Sequence, residues 1–177
     1  MLGALASPVD EVLIYGFSLC IATPYVLAML ALHYSLPEEK RIWSHAALLF
    51  GVIYVVYVTL NYVVQLGTVV PARVRGTVAE IRILDQTPHS LFWDVDAIGY
   101  IFMGVSTLFA ALVFARNGPE RWLRRALIAN ACITPVIGVV YFYPRFSIAL
   151  LFAGIPWLVT VPASLVLLTR YFRRLSV

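Results

Sequence analysis

The residues best suited to chemistry in this chain are carboxyl and amide side chains that stand inside apolar segments. Asp94 and Asp96 lie in HSLFWDVDAIGYIFM, and Asn61 and Gln65 lie in LNYVVQL. A carboxyl group in a dry site can act as a general acid near neutral pH, and an amide can orient a bound molecule. These side chains therefore predict a polar site for binding or for proton transfer.

The elements that position these side chains are predicted to be membrane-spanning helices. The chain has 177 residues, of which 62% are hydrophobic and only 12% are charged, and its mean hydropathy is +0.88. Soluble domains carry about 25% charged residues, so this composition indicates a lipid environment. The formal net charge of +4 does not indicate a nucleic-acid partner, because the arginines cluster in short loops beside apolar segments, where they act as topology signals.

Five apolar segments are long enough to cross the ~30 Å hydrocarbon core of a bilayer. We therefore predict an all-α bundle that forms a single transmembrane domain over residues 1–177. Prolines within the first, fourth and fifth segments predict bent helices. The predicted spans are about 12–32, 44–69, 91–115, 126–143 and 148–169.

The longest connection, residues 71–90, is predicted to lie on the membrane interface. Val74, Val78, Ile81 and Leu84 recur at helical spacing, which favours a short amphipathic helix, and a strand through residues 78–84 is the alternative. We expect Thr87 to cap the third helix, with Pro88 at its first position.

The charges of the loops predict the orientation of the bundle. With five spans, nine Lys and Arg residues fall on one side of the membrane and four, Arg73, Arg75, Arg82 and Arg145, fall on the other. The side with nine is predicted to be cytoplasmic, which leaves the N-terminus outside and the C-terminus inside a prokaryotic cytoplasmic membrane.

Three predicted helices carry polar or small residues along one face, and these faces should turn toward neighbouring helices because an unpaired amide in hydrocarbon costs several kcal/mol. On the second helix they are Tyr54, Tyr57, Asn61, Gln65 and Thr68. On the third they are Asp96, Gly99, Met103, Ser106 and Ala110. On the fourth they are Asn130, Thr134, Ile137 and Tyr141.

The predicted topology brings Gln65 and Asp96 to a similar depth near the outer surface, with Asn61 about one turn deeper and Tyr15 and Tyr141 near the outer ends of their helices. The candidate ligand-binding residues are Asp96, Asn61, Gln65, Asp94, Tyr100, Tyr15 and Tyr141. A structural interpretation is equally open: the aspartates can lie in the headgroup zone beside a helix N-terminus, and the amides can hold helices together.

No metal site and no cofactor is predicted. His33 and His45 are predicted to face each other at the cytoplasmic edge, where an interfacial role is favoured over haem ligation. Cys20 and Cys132 lie in apolar segments without a CxxC pattern, which favours reduced thiols that pack as small residues. The motifs of zinc proteases, serine hydrolases and P-loop nucleotide-binding proteins are missing from the sequence.

The segments PEEKRIW, LNYVVQL, PHSLFWDVDAIGYIFMGVSTLFAALVF and GPERWLRR together resemble an uncharacterised family of small bacterial and archaeal polytopic integral membrane proteins. The resemblance covers about Tyr25 to Asn130. It implies a polytopic helical fold and carries no assigned activity, cofactor or substrate.

From the residues, the function predicted is the binding of a small apolar or amphipathic ligand, such as a lipid or an isoprenoid, in a polar pocket of the outer leaflet. The alternative is a structural or accessory subunit that forms a homo-oligomer or binds a partner in a membrane complex. A third hypothesis is a lipid isomerase or cyclase with Asp96 as the proton donor, so the sequence leaves open whether the protein is an enzyme. The expected partners are membrane lipids and not nucleic acid.

Overall fold

The computed structural model describes residues 8–175, and these residues form helices, turns and loops. Seven segments are α-helical within this range. Short 3₁₀ segments cover Glu38–Lys40 and Val78–Leu84, and a π-helical segment covers Gln65–Val69. The α-helices are α1 (Val9–Tyr34), α2 (Arg41–Val64), α3 (Val70–Val74), α4 (Leu91–Leu112), α5 (Arg121–Phe142), α6 (Ile148–Phe152) and α7 (Trp157–Leu175).

Five helical stretches within residues 8–175 are long and apolar enough to cross a membrane. They are Val9–Tyr34, Glu38–Val74, Leu91–Leu112, Arg121–Phe142 and Ile148–Leu175. The predicted all-α bundle with five spans is therefore confirmed, and the chain is a multi-pass membrane protein. The first seven residues and the last two residues of the predicted domain lie outside the described part of the chain.

Membrane spans that follow one another in sequence pack against one another in space. The contacts are between α1 and α2, α2 and α4, α4 and α5, and α5 and α7. The bundle consequently has two ends of different chemistry. We call one the Asp96 end, where α4 and α7 begin and where α3 and α5 finish. We call the other the arginine end, which carries Lys40, Arg41, Arg116, Arg121, Arg124, Arg125, Arg170, Arg173 and Arg174.

The predicted small and polar face of α4 is buried along its whole length. Ser106 is fully buried, donates a hydrogen bond to the Ala47 carbonyl at 2.6 Å and accepts one from the Tyr25 hydroxyl at 2.8 Å. This hydroxyl pair links α1, α2 and α4 in the middle of the bundle, where unpaired polar groups are costly.

The closest helix contact is between α4 and α5. A Cβ atom at Gly104 would overlap the side chain of Thr134, so only glycine allows the two helices to approach this closely. Asn130 lies one turn away and donates a hydrogen bond to Thr107 at 3.3 Å. The predicted inward face of α5 is thus confirmed.

The second span differs from its prediction because its helix widens before it ends. Pro71 has no backbone N–H, and the segment Gln65–Val69 adopts π-helical geometry, with the Val70 N–H bonded to the Gln65 carbonyl. A π-turn needs more residues per turn than an α-turn. Thr68, predicted on the polar face, is therefore exposed, and Val69 is buried in its place.

The short amphipathic helix predicted within residues 71–90 does not form as one continuous element: α3 ends at Val74, and Val78–Leu84 is a 3₁₀ segment. Gly76, at φ +75°, turns the chain back over the Asp96 end, and the following 3₁₀ segment is interrupted at Ile81. No strand forms within residues 8–175 either. The segment instead makes tight turns whose backbone is held by side chains of the second span. We call residues 75–90 the covering loop.

The predicted cap of the third span is also wrong. Thr87 lies outside α4, which begins after Ser90, and the Ser90 Oγ accepts a hydrogen bond from the Trp93 N–H at 3.2 Å. Ser90 can cap because His89 adopts φ +66°, which redirects the chain just before the helix.

The predicted bends in the last span appear as a break. Helix α6 ends at Phe152, a turn covers residues 153–156, and α7 begins at Trp157. Pro156 lies in this turn, and its ring disfavours helical geometry at the preceding residue, Ile155. The fourth span is longer than predicted, since α5 already begins at Arg121 and buries Leu123 in its first turn.

Candidate functional site

The carboxyl group of Asp96 joins three helices at the Asp96 end. Its Oδ1 accepts a hydrogen bond from the Asn61 Nδ2 of α2 at 2.9 Å, and its Oδ2 accepts one from the Tyr141 hydroxyl of α5 at 2.8 Å. Asp96 is 2% exposed and Asn61 is fully buried. These donors compensate the carboxyl group for the water it loses on burial.

Gln65 does not contact Asp96, although the two were predicted in one set. Its Nε2 donates to the Leu84 carbonyl at 2.8 Å, and its Oε1 accepts from the Gln86 N–H at 3.2 Å. Gln86 in turn accepts a hydrogen bond from the Asn61 Nδ2 at 3.0 Å. Asn61 and Gln65 therefore both hold the covering loop, and Gln86 connects them.

Three tyrosines lie beside the Asp96 carboxyl. Tyr141 bonds to it directly, and the Tyr62 hydroxyl, adjacent to the carboxyl, pairs with the Tyr100 hydroxyl. Trp93 fixes Tyr141 from the other side, because its Nε1 donates to the Tyr141 carbonyl at 3.0 Å and the two rings lie 4.4 Å apart. The phenols form a chain of hydroxyl groups that can exchange protons with a carboxyl group.

Two predicted candidates contribute less than expected. The Asp94 side chain makes no hydrogen bond or ion pair within residues 8–175, and it lies in the first turn of α4, where the helix dipole favours a negative charge. Tyr15 packs its ring 5.8 Å from the ring of Tyr62 and acts as a wall of the cluster.

An ion-pair cluster lies next to this site and was not predicted. Arg73 donates to Glu11 at 2.6 Å and to Asp85 at 2.7 Å, which joins α1, α3 and the covering loop. The Glu11 side chain is only 4% exposed and that of Asp85 is 13% exposed. The two clusters together contain three carboxyl groups and one guanidinium group, so the space beside them favours cationic or hydrogen-bond-donating groups over anions.

Gln86, Tyr62 and Trp93 belong to the site but were missed in the sequence. Tyr62 lies one position away from the predicted polar face of α2. Gln86 lies in a loop, where no periodicity predicts which way a side chain points. The one available signal was that Gln86 is an amide in the short stretch that leads into the third span.

One atom of the site has no donor. The Asn61 Oδ1 is buried and accepts no hydrogen bond from any described residue, while the Nδ2 of the same amide donates to both Asp96 and Gln86. An unsatisfied buried acceptor costs about 1–3 kcal/mol. The site can therefore gain from a molecule that brings an O–H or N–H group to Asn61.

The histidines and cysteines lie away from this cluster. His33 and His45 do face each other at the arginine end, with ring centroids 5.5 Å apart, and the His33 Nδ1 lies 3.0 Å from the Ser44 Oγ. Cys20 and Cys132 are free thiols, as predicted, and they are exposed on the apolar surface rather than packed between the helices of this chain.

In comparisons with known proteins, no family model, curated protein or solved structure matches this chain.

Proposed function

We propose that this protein binds a small amphipathic molecule, of the lipid or isoprenoid class, at the Asp96 end of the bundle. Asp96 and Asn61 would receive its polar head group, and its apolar part would lie among the neighbouring helices. The observation that carries this proposal is the buried Asn61 Oδ1 without a donor, next to a buried carboxyl group.

The chemistry of the site restricts the head group. Asn61 Oδ1 lacks a donor, and carboxyl groups outnumber the guanidinium group of Arg73 around it. A head group with an O–H or N–H donor, neutral or positively charged, fits this environment, whereas a carboxylate or phosphate head group would be repelled.

Entry of the ligand requires movement of the covering loop, since Asn61 and Gln65 are fully buried. Gln86 is the residue to displace. When it leaves, one hydrogen of the Asn61 amide and the side-chain Oε1 of Gln65 both lose a partner. The amides that hold the loop closed would thus become contacts for the ligand.

The location is part of the same proposal. Nine of the thirteen Lys and Arg residues lie at the arginine end, which supports a prokaryotic cytoplasmic membrane with that end inside and the N-terminus outside. The Asp96 end would then open toward the outer leaflet.

A second candidate, a lipid isomerase or cyclase, is favoured by one contact. Beside the 2.8 Å hydrogen bond from Tyr141 to Asp96, a protonated Asp96 would add its proton to a substrate double bond. The resulting carbocation would lose a proton from an adjacent carbon, and the phenols of Tyr141, Tyr62 and Tyr100 would return that proton to the Asp96 carboxylate.

The binding proposal is tested with three single-chain probes of equal length: dodecylamine, dodecanol and dodecanoate. Radiolabelled probes are titrated at neutral pH into the protein in phosphatidylcholine nanodiscs, with empty nanodiscs as the blank. We expect saturable binding of the amine and the alcohol and little of the carboxylate. Asp96→Ala should weaken binding of the amine about tenfold or more, because a charge-assisted contact is lost.

Asp94→Ala is the matched control, since it removes a carboxyl group from the same helix outside the hydrogen-bonded cluster. If the Asp96→Ala variant does not fold, Asp96→Asn, which keeps the shape of the side chain, is used in its place. Equal binding of all three probes, or equal loss in the Asp94 and Asp96 variants, would refute the proposal. Recovery of the gently solubilised protein in a stable hetero-complex without bound lipid would favour the accessory-subunit alternative.

A further inference from the structure

A cleft at the arginine end has features of a second binding site, distinct from the Asp96 end. It lies between the start of α5 and the end of α7 and has a volume of about 140 Å³. Arg170 and Arg174 form one wall, Trp122 and Glu120 lie on the opposite side, and Leu123 is among the apolar residues between them.

The two arginines of this wall are uncompensated. They are four residues apart on α7, so they share one face of the helix, and like charges at this spacing destabilise a helix. Neither makes an ion pair or a hydrogen bond with any residue of the described chain. The segments 116–125 and 170–174 contain seven arginines and one acidic residue, Glu120, so an anion between the helices would reduce the repulsion.

The remaining walls of the cleft are suited to a lipid rather than to a small soluble anion. Leu123 is 3% exposed, and the ring of Tyr171 packs 5.1 Å from that of Phe114, which makes the inner part of the cleft apolar. Trp122 is 56% exposed between Arg121 and Arg125, whose guanidinium groups lie 5.6 and 4.9 Å from its ring. Tryptophan beside cationic groups is typical of the membrane interface.

We infer that this cleft binds the head group of an anionic phospholipid. Arg170 and Arg174 would contact its phosphate, and its glycerol and upper acyl carbons would lie along Leu123 and Tyr171. Basic clefts between membrane helices bind acidic lipid head groups in this way, through paired arginine contacts to phosphate oxygens.

Native mass spectrometry of the whole protein can test this inference. The protein is equilibrated in detergent with equal amounts of phosphatidylglycerol and phosphatidylcholine that carry the same acyl chains. We expect the wild type to retain phosphatidylglycerol preferentially. The double substitution R170Q/R174Q should reduce this preference about tenfold, because two charge-assisted contacts to one phosphate are lost.

The matched control is R116Q/R173Q, which removes two exposed arginines from the same end of the bundle without changing the cleft. This control should retain at least half of the wild-type preference, and both variants should match the wild type in gel filtration and thermal unfolding. R170K/R174K, which preserves the charge, is used if the glutamine variant does not fold and should lose only part of the preference.

If the cleft and control variants lose the phosphatidylglycerol preference equally, the preference comes from the overall charge of this end rather than from the cleft. This result would overturn the inference. Displacement of phosphatidylglycerol by an equimolar amount of inorganic phosphate would show a soluble anion as the ligand and would also overturn it.

Discussion

The Asp96 carboxyl group obtains its two hydrogen-bond donors from different helices, Asn61 of α2 and Tyr141 of α5. These two hydrogen bonds therefore stabilise the buried Asp96 side chain and also hold α2, α4 and α5 together. Removal of one donor leaves a buried oxygen without a partner, which costs more than the net value of the hydrogen bond itself.

Tyr141→Phe tests this account at the level of one atom. The substitution keeps the ring and removes only the hydroxyl, so we expect the free energy of unfolding to fall by about 1–3 kcal/mol. Thermal unfolding in detergent measures the change. Tyr143→Phe, at an exposed position just beyond α5, should have almost no effect, and a similar loss in both variants would contradict the account.

Helical periodicity was sufficient to place Asn61, Asp96 and Tyr141 on inward faces. The predicted depths put Gln65 beside Asp96 and Asn61 about one turn deeper, whereas Asn61 is the residue that bonds to Asp96. Periodicity could not predict Gln86, whose position depends on a loop conformation set by Gly76. Thr68 was misplaced for a different reason: the prediction assumed 3.6 residues per turn, whereas Pro71 is accompanied by a wider π-turn.

The covering loop is held mainly by side chains rather than by regular secondary structure. Gln65 binds Leu84 and Gln86, Asn61 binds Gln86, and Arg73 binds Asp85. A segment held in this way can open without unfolding the helices beneath it.

Gln86→Ala should therefore release the loop locally. We expect amide hydrogen exchange of residues 84–90 to accelerate about three- to thirtyfold, since a buried side-chain hydrogen bond contributes about 0.5–1.5 kcal/mol or more. Exchange in α4 and α5 should remain unchanged. Thr87→Ala is the control, because its exposed side chain makes no hydrogen bond within the described chain, and acceleration throughout the bundle would contradict the prediction.

The contact between α4 and α5 depends on one glycine. Gly104→Ala should destabilise the protein by about 1–3 kcal/mol or more, because the added methyl group overlaps Thr134 and must separate the helices. Gly138→Ala provides the control, as its added methyl would meet only Ile101 at an ordinary 3.8 Å. Thermal unfolding should show a clear loss for the first variant and none for the second; equal melting temperatures would exclude the proposed close approach.

For the whole molecule, the number of spans followed from composition and segment length alone. The finer geometry did not: the break before Trp157 and the early start of α5 depend on local turn geometry and on burial of Leu123. The difference in arginine content between the two ends predicts an orientation that can be measured.

In a variant with Cys20 and Cys132 replaced by alanine, single cysteines are introduced as Lys40→Cys or Arg82→Cys. The positive-inside rule predicts that a membrane-impermeant maleimide labels the Arg82→Cys variant in intact cells. The Lys40→Cys variant should react only after lysis. The opposite pattern would reverse the proposed orientation and place Asp96 toward the cytoplasm.

The packing of each span on its predecessor has a consequence for biosynthesis. A chain that pairs each new helix with the one made before it forms mostly local contacts, and such topologies assemble rapidly. The bundle can therefore grow hairpin by hairpin as it leaves the ribosome. The fifth span is the least buried of the five in the described chain, and it follows the four spans that hold the carboxyl cluster, so it joins a structure whose carboxyl cluster has already formed.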